Sequence, residues 1–242
     1  LTVSMALRGY AAGHLPLSNG YETMIFVSWC LSLLALGIGR RFPIAAASGL
    51  LMSGFALLVA SLGMANPQIT PLVPVLRSPW LSLHVSLIMV SYALLGLLML
   101  NGTAALALAA AARAGTAERT SRTLARLRLF GRLLLYPAVF LLTAGIFTGA
   151  VWANASWGRY WGWDPKEVWA LITLIVYALP LHEQSLARFR RPLFFHAYSL
   201  WAFAAVLMTY FGVNYFLGGM HSYGGGFRPG YAAATVFAAV TA

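Results

Sequence analysis

Residues 83–112 read LHVSLIMVSYALLGLLMLNGTAALALAAAA, thirty positions without an Asp, Glu, Lys or Arg. A helix crosses a hydrocarbon core of ~30 Å in about 20 residues. This stretch exceeds that need, so it should tilt or project from the bilayer. Working outward, apolar runs recur at 23–39, 43–63, 133–152, 167–182 and 193–217, each long enough to cross or nearly so. A weaker, alanine-rich run at 231–242 is too short to span and belongs to a C-terminal tail, 225–242. The expected fold is all-α: a polytopic transmembrane helical bundle of about six spans, forming one unit over 1–242, with an outer N-terminal segment 1–22.

Composition supports this. Of 242 residues, 60% are hydrophobic and 9% charged, against roughly 25% charged in soluble domains. That excludes a soluble enzyme and a disordered chain. The single cysteine, Cys30, excludes an internal disulfide framework and a cysteine-based metal cluster within one chain. The net charge of +11 does not point to nucleic acid, because the arginines sit in short connections between apolar runs. Arg40 and Arg41, then Arg113, Arg119, Arg122, Arg126, Arg128 and Arg132, then Arg188, Arg190 and Arg191 fall on one side. Arg8, Arg77, Arg159, Lys166 and Arg228 fall on the other. The positive-inside rule assigns the first group to the cytoplasm or its organellar equivalent, which puts both termini outside. Within the first group, LARLRLFGRLL (124–134) fits either a helix lying along the inner surface or a solvated loop. The opening LTVSMALRGY carries no signal-peptide pattern and is compatible with the end of something longer. The glycine cluster at 224–226 follows a span, not a strand, and reads as a turn.

The outer connections carry the chemistry. Residues 152–169, WANASWGRYWGWDPKEVW, hold five of the eight tryptophans. An interfacial aromatic belt accounts for Trp152 and Trp169 at the span ends. It fits Trp157, Trp161 and Trp163 less well, because Gly158 and Gly162 beside them let backbone approach a flat ligand. Asp164-Pro165-Lys166-Glu167 matches a helix start, so Asp164 is first of all a cap.

The five histidines form the second constellation, since an imidazole at membrane depth is costly without a partner. His84 and His221 flank the tryptophan stretch on the outer side. Two such imidazoles suit the axial positions of a haem; histidines alone would also suit zinc or copper. His182 ends the helix that starts near 167 and lies about 22 Å deeper at ~1.5 Å per residue, near the inner face. His196 begins the next span and reads as interfacial. His14 fits a turn, and Ser18 with Glu22 fits a cap for the first span.

The segment WGRYWGWDPKEVWALITLIVYALPLH (157–182) resembles the tryptophan-rich WWD motif of haem-handling membrane proteins. Its WGWDPKE core, with a following helix that ends in His, resembles the CcsA (ResC) family of cytochrome c biogenesis proteins. GHLPLSNGYE (13–22), LHVSLIMVSYALL (83–95) and GVNYFLGGMHSYG (212–224) agree, in the same order and across nearly the whole chain. The resemblance implies haem b as the ligand, with His84 and His221 as outer axial ligands to its iron. It implies that Trp157, Trp161, Trp163 and Asp164 hold the ring, and that His182 serves a second, inner haem position. Arg159, Lys166, Arg77 and Arg228 are the outer cations open to haem propionates.

The implied activity is that of a holocytochrome c synthase (haem lyase) component. Haem is taken to the outer face and joined through thioethers to the CXXCH motif of apocytochrome c. No residue is expected to act as nucleophile or base. The implied partners are a CcsB (ResB) membrane protein, apocytochrome c and a thiol-reducing thioredoxin-like protein. The implied setting is a bacterial inner membrane or a thylakoid membrane, with the active site on the periplasmic or lumenal side. A haem exporter or chaperone of CcmC or CcmF type, and a structural helical subunit of a membrane complex, are the competing readings.

Overall fold

The computed structural model describes residues 1–61, 67–69, 71, 72, 74–112 and 117–217. All regular elements among these residues are helices, with no strand among them. The elements are α1 (Thr2–Ala12), α2 (Gly20–Ile38), α3 (Pro43–Ser61), α4 (Pro79–Ala111), α5 (Ala117–Trp157), α6 (Pro165–Ala178) and α7 (Pro192–Leu207). Helix α7 continues through a π turn, Met208–Gly212, into a last short helix, α8 (Val213–Phe216). The tail 225–242 lies outside the described residues.

Four of the long helices begin at a proline: Pro43, Pro79, Pro165 and Pro192. Proline suits a first helical position, where no intrahelical partner exists for an N–H. Each therefore marks a sharp entry from an irregular connection into a span.

Among the described residues, five helices are long and apolar enough to cross a membrane: α2, α3, α4, α5, and α7 with its π turn. The sixth expected span is α6, only 14 residues long. It is lengthened by a 3₁₀ helix, Leu179–His182. At ~1.5 Å per α residue and ~2.0 Å per 3₁₀ residue, the two together reach about 29 Å. The tighter winding thus gives a short segment nearly the thickness of the hydrocarbon.

Helix α5 differs from the sequence expectation. Residues 124–134 form neither a loop nor a separate surface helix; they are the third to fifth turns of one 41-residue helix. The reason is periodicity. Leu124, Phe130, Leu134, Leu135, Ala138 and Leu142 are buried along one continuous stripe, so the face that packs in the membrane extends unbroken below it. At ~1.5 Å per residue, α4 and α5 run about 50 and 60 Å. They form the most extensive helix pair among the described residues, and both exceed the ~30 Å of a hydrocarbon core.

Helix α4 is central, packing on α2, α3, α5 and α7. Its Leu95, Leu97 and Leu98 are buried with Leu31 of α2 and Leu135 and Leu142 of α5. Polar contacts join the helices inside this core. Ser28 and Ser53 Oγ atoms lie 2.7 Å apart, and Ser91 Oγ donates to the Ala138 carbonyl at 2.8 Å. The outward faces carry Leu36, Leu51, Phe55, Phe140, Phe147 and Trp201, all exposed, as a hydrocarbon solvent requires.

Two ends result. One gathers the start of α2, the end of α3, the start of α4, the end of α5, the start of α6 and the π turn of α7. The other gathers the arginine-rich connections. At that second end Glu183 accepts from both Arg128 and Arg132, the latter at 2.7 Å, which locks the α6–α7 connection onto α5.

Candidate functional site

A cavity of about 1100 Å³ opens at the tryptophan end. Its walls come from residues 11–23, the 71–79 connection, the first turns of α4, the last turns of α5, the tryptophan loop, the start of α6 and the π turn. Its size is that of a site for a large organic ligand.

His84 stands in this wall. Its Nδ1 lies 2.6 Å from the carbonyl oxygen of Gly145. A carbonyl only accepts, so Nδ1 carries the proton and Nε2 carries the lone pair. This is how metal-binding imidazoles are oriented and tuned by their outer contacts. Two glycines one turn apart on α5 make room for α4 at this point. A Cβ on Gly149 would lie 2.6 Å from His84 Nδ1, and one on Gly145 would lie 2.6 Å from Ile88 Cδ1. Gly145 and Gly149 thus seat His84 and Ile88, themselves four residues apart on α4. The GIFTG string at 145–149 carries this signal as a small-xxx-small packing face, and it is what sequence reasoning missed.

The non-helical part of the tryptophan stretch is only 158–164. Helix α5 closes on Gly158, which is left-handed at φ 72° and donates its N–H to the Asn154 carbonyl. Trp152 is not part of an interfacial belt: it is 1% exposed, and its Nε1 donates to the Val75 carbonyl. Helix α5 directs it inward, and Trp157 packs edge-on against it at 4.8 Å. Trp161 and Tyr160 line the cavity. Trp163 does not line it; its ring is 73% exposed and edge-on to Trp161 at 5.9 Å. Trp163 also has φ 57°, a left-handed conformation that costs about 1–2 kcal/mol for a residue with a Cβ. Such strain concentrates at functional sites.

Asp164 is the N-cap of α6 in a full capping box. Its carboxylate accepts from Lys166 N, and Glu167 Oε2 accepts from Asp164 N and from Gly162 N. The box fixes where the loop ends and α6 begins. The Arg159 side chain folds over Gly162, with Nε 3.0 Å from where a Cβ would be. Lys166 and Arg77 line the cavity. Lys166 Nζ donates to Asn214 Oδ1 at 2.8 Å. Asn214 reaches that position because the π turn shifts the register of α7. The same turn sets the Tyr210 hydroxyl 2.6 Å from Thr23 of α2 and the Thr209 hydroxyl 2.8 Å from Thr173 of α6. Insertions of this kind are frequent at functional sites. Nothing in residue type announced the π turn or the pairing of Lys166 with Asn214.

The other histidines separate. His221 and Arg228 lie outside the described residues. His182 is exposed at the arginine end, far from the cavity, with Nδ1 2.9 Å from the Ala178 carbonyl. His14 lines the cavity mouth, its Nδ1 2.9 Å from the Leu15 carbonyl. The cap of α2 is Asn19, whose Oδ1 accepts from Glu22 N; Ser18 instead donates both N–H and O–H to the Glu22 carboxylate. Arg8 completes that buried network at 2.7 Å and ties α1 to α2. His196 is not interfacial. It is wholly buried, and among the described residues neither ring nitrogen makes a hydrogen bond of good geometry. Its burial follows from Gly102, whose missing side chain lets α7 approach α4: a Cβ there would lie 2.8 Å from the His196 carbonyl.

Among the described residues no three His, Cys, Asp or Glu side chains converge as a metal-binding group. The cavity instead offers two imidazoles, His84 held across helices by α5 and His14 in the N-terminal segment, together with aromatic walls and two cations, a donor set that fits haem, which is flat, apolar in its ring and anionic at its edge.

A family model described as Cytochrome C assembly protein matches residues 17–221. That span includes His84, the tryptophan loop, His182 and His221. The chain is 43% identical over 225 residues to Protein NrfI of Wolinella succinogenes, covering 93% of this chain and 25% of that protein. It is 36% identical over 263 residues to the cytochrome c biogenesis protein CcsA of Synechococcus sp. (strain WH7803), covering 93% and 81%. To the protein of the same name from Chlamydomonas reinhardtii it is 36% identical over 235 residues, covering 93% and 65%. The chain thus spans a quarter of the first relative, about four fifths of the second and just under two thirds of the third.

Proposed function

This chain is a membrane-embedded member of the cytochrome c assembly protein family with a role in cytochrome c biogenesis, and on that premise we propose that its cavity holds haem b for transfer to apocytochrome c. His84 supplies one axial ligand through Nε2, and His221 supplies the other. The observation that carries this reading is the bond from His84 Nδ1 to the Gly145 carbonyl, which holds a metal-competent imidazole at the wall of a haem-sized cavity. Trp161 and Tyr160 offer aromatic surface to the ring; Trp157 and Asp164 support the loop that carries them.

The chain acts as the haem-presenting component of a holocytochrome c synthase, with a CcsB-type partner. The thiols of the substrate's CXXCH motif, kept reduced by a thioredoxin-like protein, add to the vinyl groups of reduced haem. The chain's residues position the haem and exclude water, and none is required as nucleophile or base. The tryptophan end faces the periplasm or lumen, in a bacterial inner membrane or a thylakoid membrane. The placement of basic residues at the opposite end supports that orientation, as it supports termini that both lie outside. His182 belongs to a separate inner site whose second ligand comes from the partner.

Co-expression with apocytochrome c and a CcsB-type partner, in a host without its own maturation system, tests the reading. Covalent cytochrome c that survives acid–acetone extraction, and is lost with His84→Ala, is the expected outcome. Haem bound to the chain with no covalent product in the presence of the partner would favour an exporter or chaperone instead.

A further inference from the structure

Helix α6 opens with three charged residues in its first turn and cap, and the structure uses their signs differently. The two carboxylates turn to the backbone. Asp164 accepts from Lys166 N, and Glu167 Oε2 accepts from Gly162 N and Asp164 N. The amides that would otherwise attract an anion at this helix start are thereby satisfied within the loop. The lysine between them goes the other way. Its ammonium lines the cavity and donates to Asn214 Oδ1, a neutral acceptor, with no carboxylate as salt-bridge partner among the described residues. An ammonium has three protons to donate, so one amide oxygen leaves it well short of its capacity. The Asp164 carboxylate attracts this half-buried ammonium only through space, with no salt bridge between them, so a ligand's anionic group in the cavity can supply the direct contact that burial of the cation calls for.

Arg77 also lines the cavity, but it is exposed and its Nε is turned to the Leu72 carbonyl. Arg159 is folded against Gly162. Of the outer cations among the described residues, Lys166 is the one built into the wall and held there by a residue of another helix.

We infer that Lys166, positioned by Asn214, binds a carboxylate of the cavity's ligand and so fixes which edge of the ring faces α6. This rests on the reading of the cavity as a haem site and adds to it the anchor that orients the haem. Lys166 is a specificity-determining residue: it selects a planar ligand that carries a free acid.

The test is a Soret titration of the purified chain in detergent with two probes, haem and haem dimethyl ester, whose propionates are uncharged. The wild type is expected to bind haem more tightly than the ester. Lys166→Gln should weaken haem binding by roughly ten- to a hundredfold, the effect of one charge-assisted hydrogen bond, while ester binding stays unchanged. Asn214→Ala, which frees the lysine without removing it, should lower the haem-to-ester preference by a smaller factor, and Lys166→Arg should retain it. An unchanged haem-to-ester ratio in Lys166→Gln would overturn the assignment. Equal loss of both probes would overturn it too, marking Lys166 as purely structural. A wild type that binds the ester as tightly as haem removes the anchor but leaves the haem site standing, whereas a wild type that binds neither removes both.

Discussion

His84 on α4 donates its Nδ1 proton to the main-chain carbonyl of Gly145 on α5, across 2.6 Å. The contact joins the two longest helices of the molecule at the wall of its cavity, and it fixes which nitrogen holds the lone pair. One turn along α5, Gly149 is the floor beneath the ring, with a would-be Cβ only 2.6 Å from Nδ1 and 2.7 Å from Cε1.

Gly149→Ala therefore has to displace the imidazole, and haem retention should fall. In Gly145→Ala the clash is instead with the Ile88 side chain, at 2.6 Å from Cδ1 and 2.9 Å from Cγ1, and not with the imidazole. That variant should lose about 1–3 kcal/mol of stability, the usual range for overpacking, with a Soret band unchanged in position. Thermal unfolding in detergent and absorption spectra of both variants check the contrast.

The tryptophans should differ among themselves. Trp161 lines the cavity, whereas Trp163 is 73% exposed and Trp201 is 77% exposed on α7. Trp161→Ala should weaken haem binding by about 0.5–1.5 kcal/mol if the ring stacks, and more than Trp163→Ala or Trp201→Ala. Equal losses at all three would point to general damage to folding.

Asp164 is expected to act through its cap. Asp164→Ala should cost about 1 kcal/mol of stability, and Asp164→Ser, which restores a capping oxygen, should recover most of it. A haem spectrum altered equally in both variants would show that the carboxylate has a direct role beyond the cap.

His182 sits at the opposite end of α6, about 29 Å from its start at the α and 3₁₀ rises. The chain alone should therefore bind close to one equivalent of haem, and His182→Ala should leave that unchanged. Co-purification with a CcsB-type partner should raise the content toward two, and here His182→Ala should return it to one. Pyridine haemochrome assays against protein concentration give both numbers.

Most of the architecture is legible in the residues because the bilayer simplifies the problem. Uninterrupted apolar runs, opened by Pro43, Pro79, Pro165 and Pro192, mark where helices enter, and the box at Asp164 and Glu167 reads directly from Asp-Pro-Lys-Glu. Residues 124–134 were harder, because arginines at Arg126, Arg128 and Arg132 obscure the buried stripe through Leu124, Phe130 and Leu134 that keeps α5 continuous. The cavity was legible in its chemistry, through His84 and the tryptophans, but not in its construction. Gly145 and Gly149 act by lacking side chains. Trp152 looks like an interfacial residue until its helix turns it inward. Asn214 reaches Lys166 only because a π turn resets the register of α7, and His196 is buried by the absence of a side chain on Gly102. These depend on how distant segments meet, which local pattern does not record.

The function proposed for the cavity depends on His84 Nε2 as a ligand to haem iron. Electron paramagnetic resonance of the ferric protein, before and after His84→Ala, tests it most directly. The wild type should give a low-spin bis-imidazole spectrum. The variant should turn high-spin or lose haem, and added imidazole should restore the low-spin signal. A His84→Ala protein that keeps full haem content and the wild-type low-spin spectrum would contradict the account.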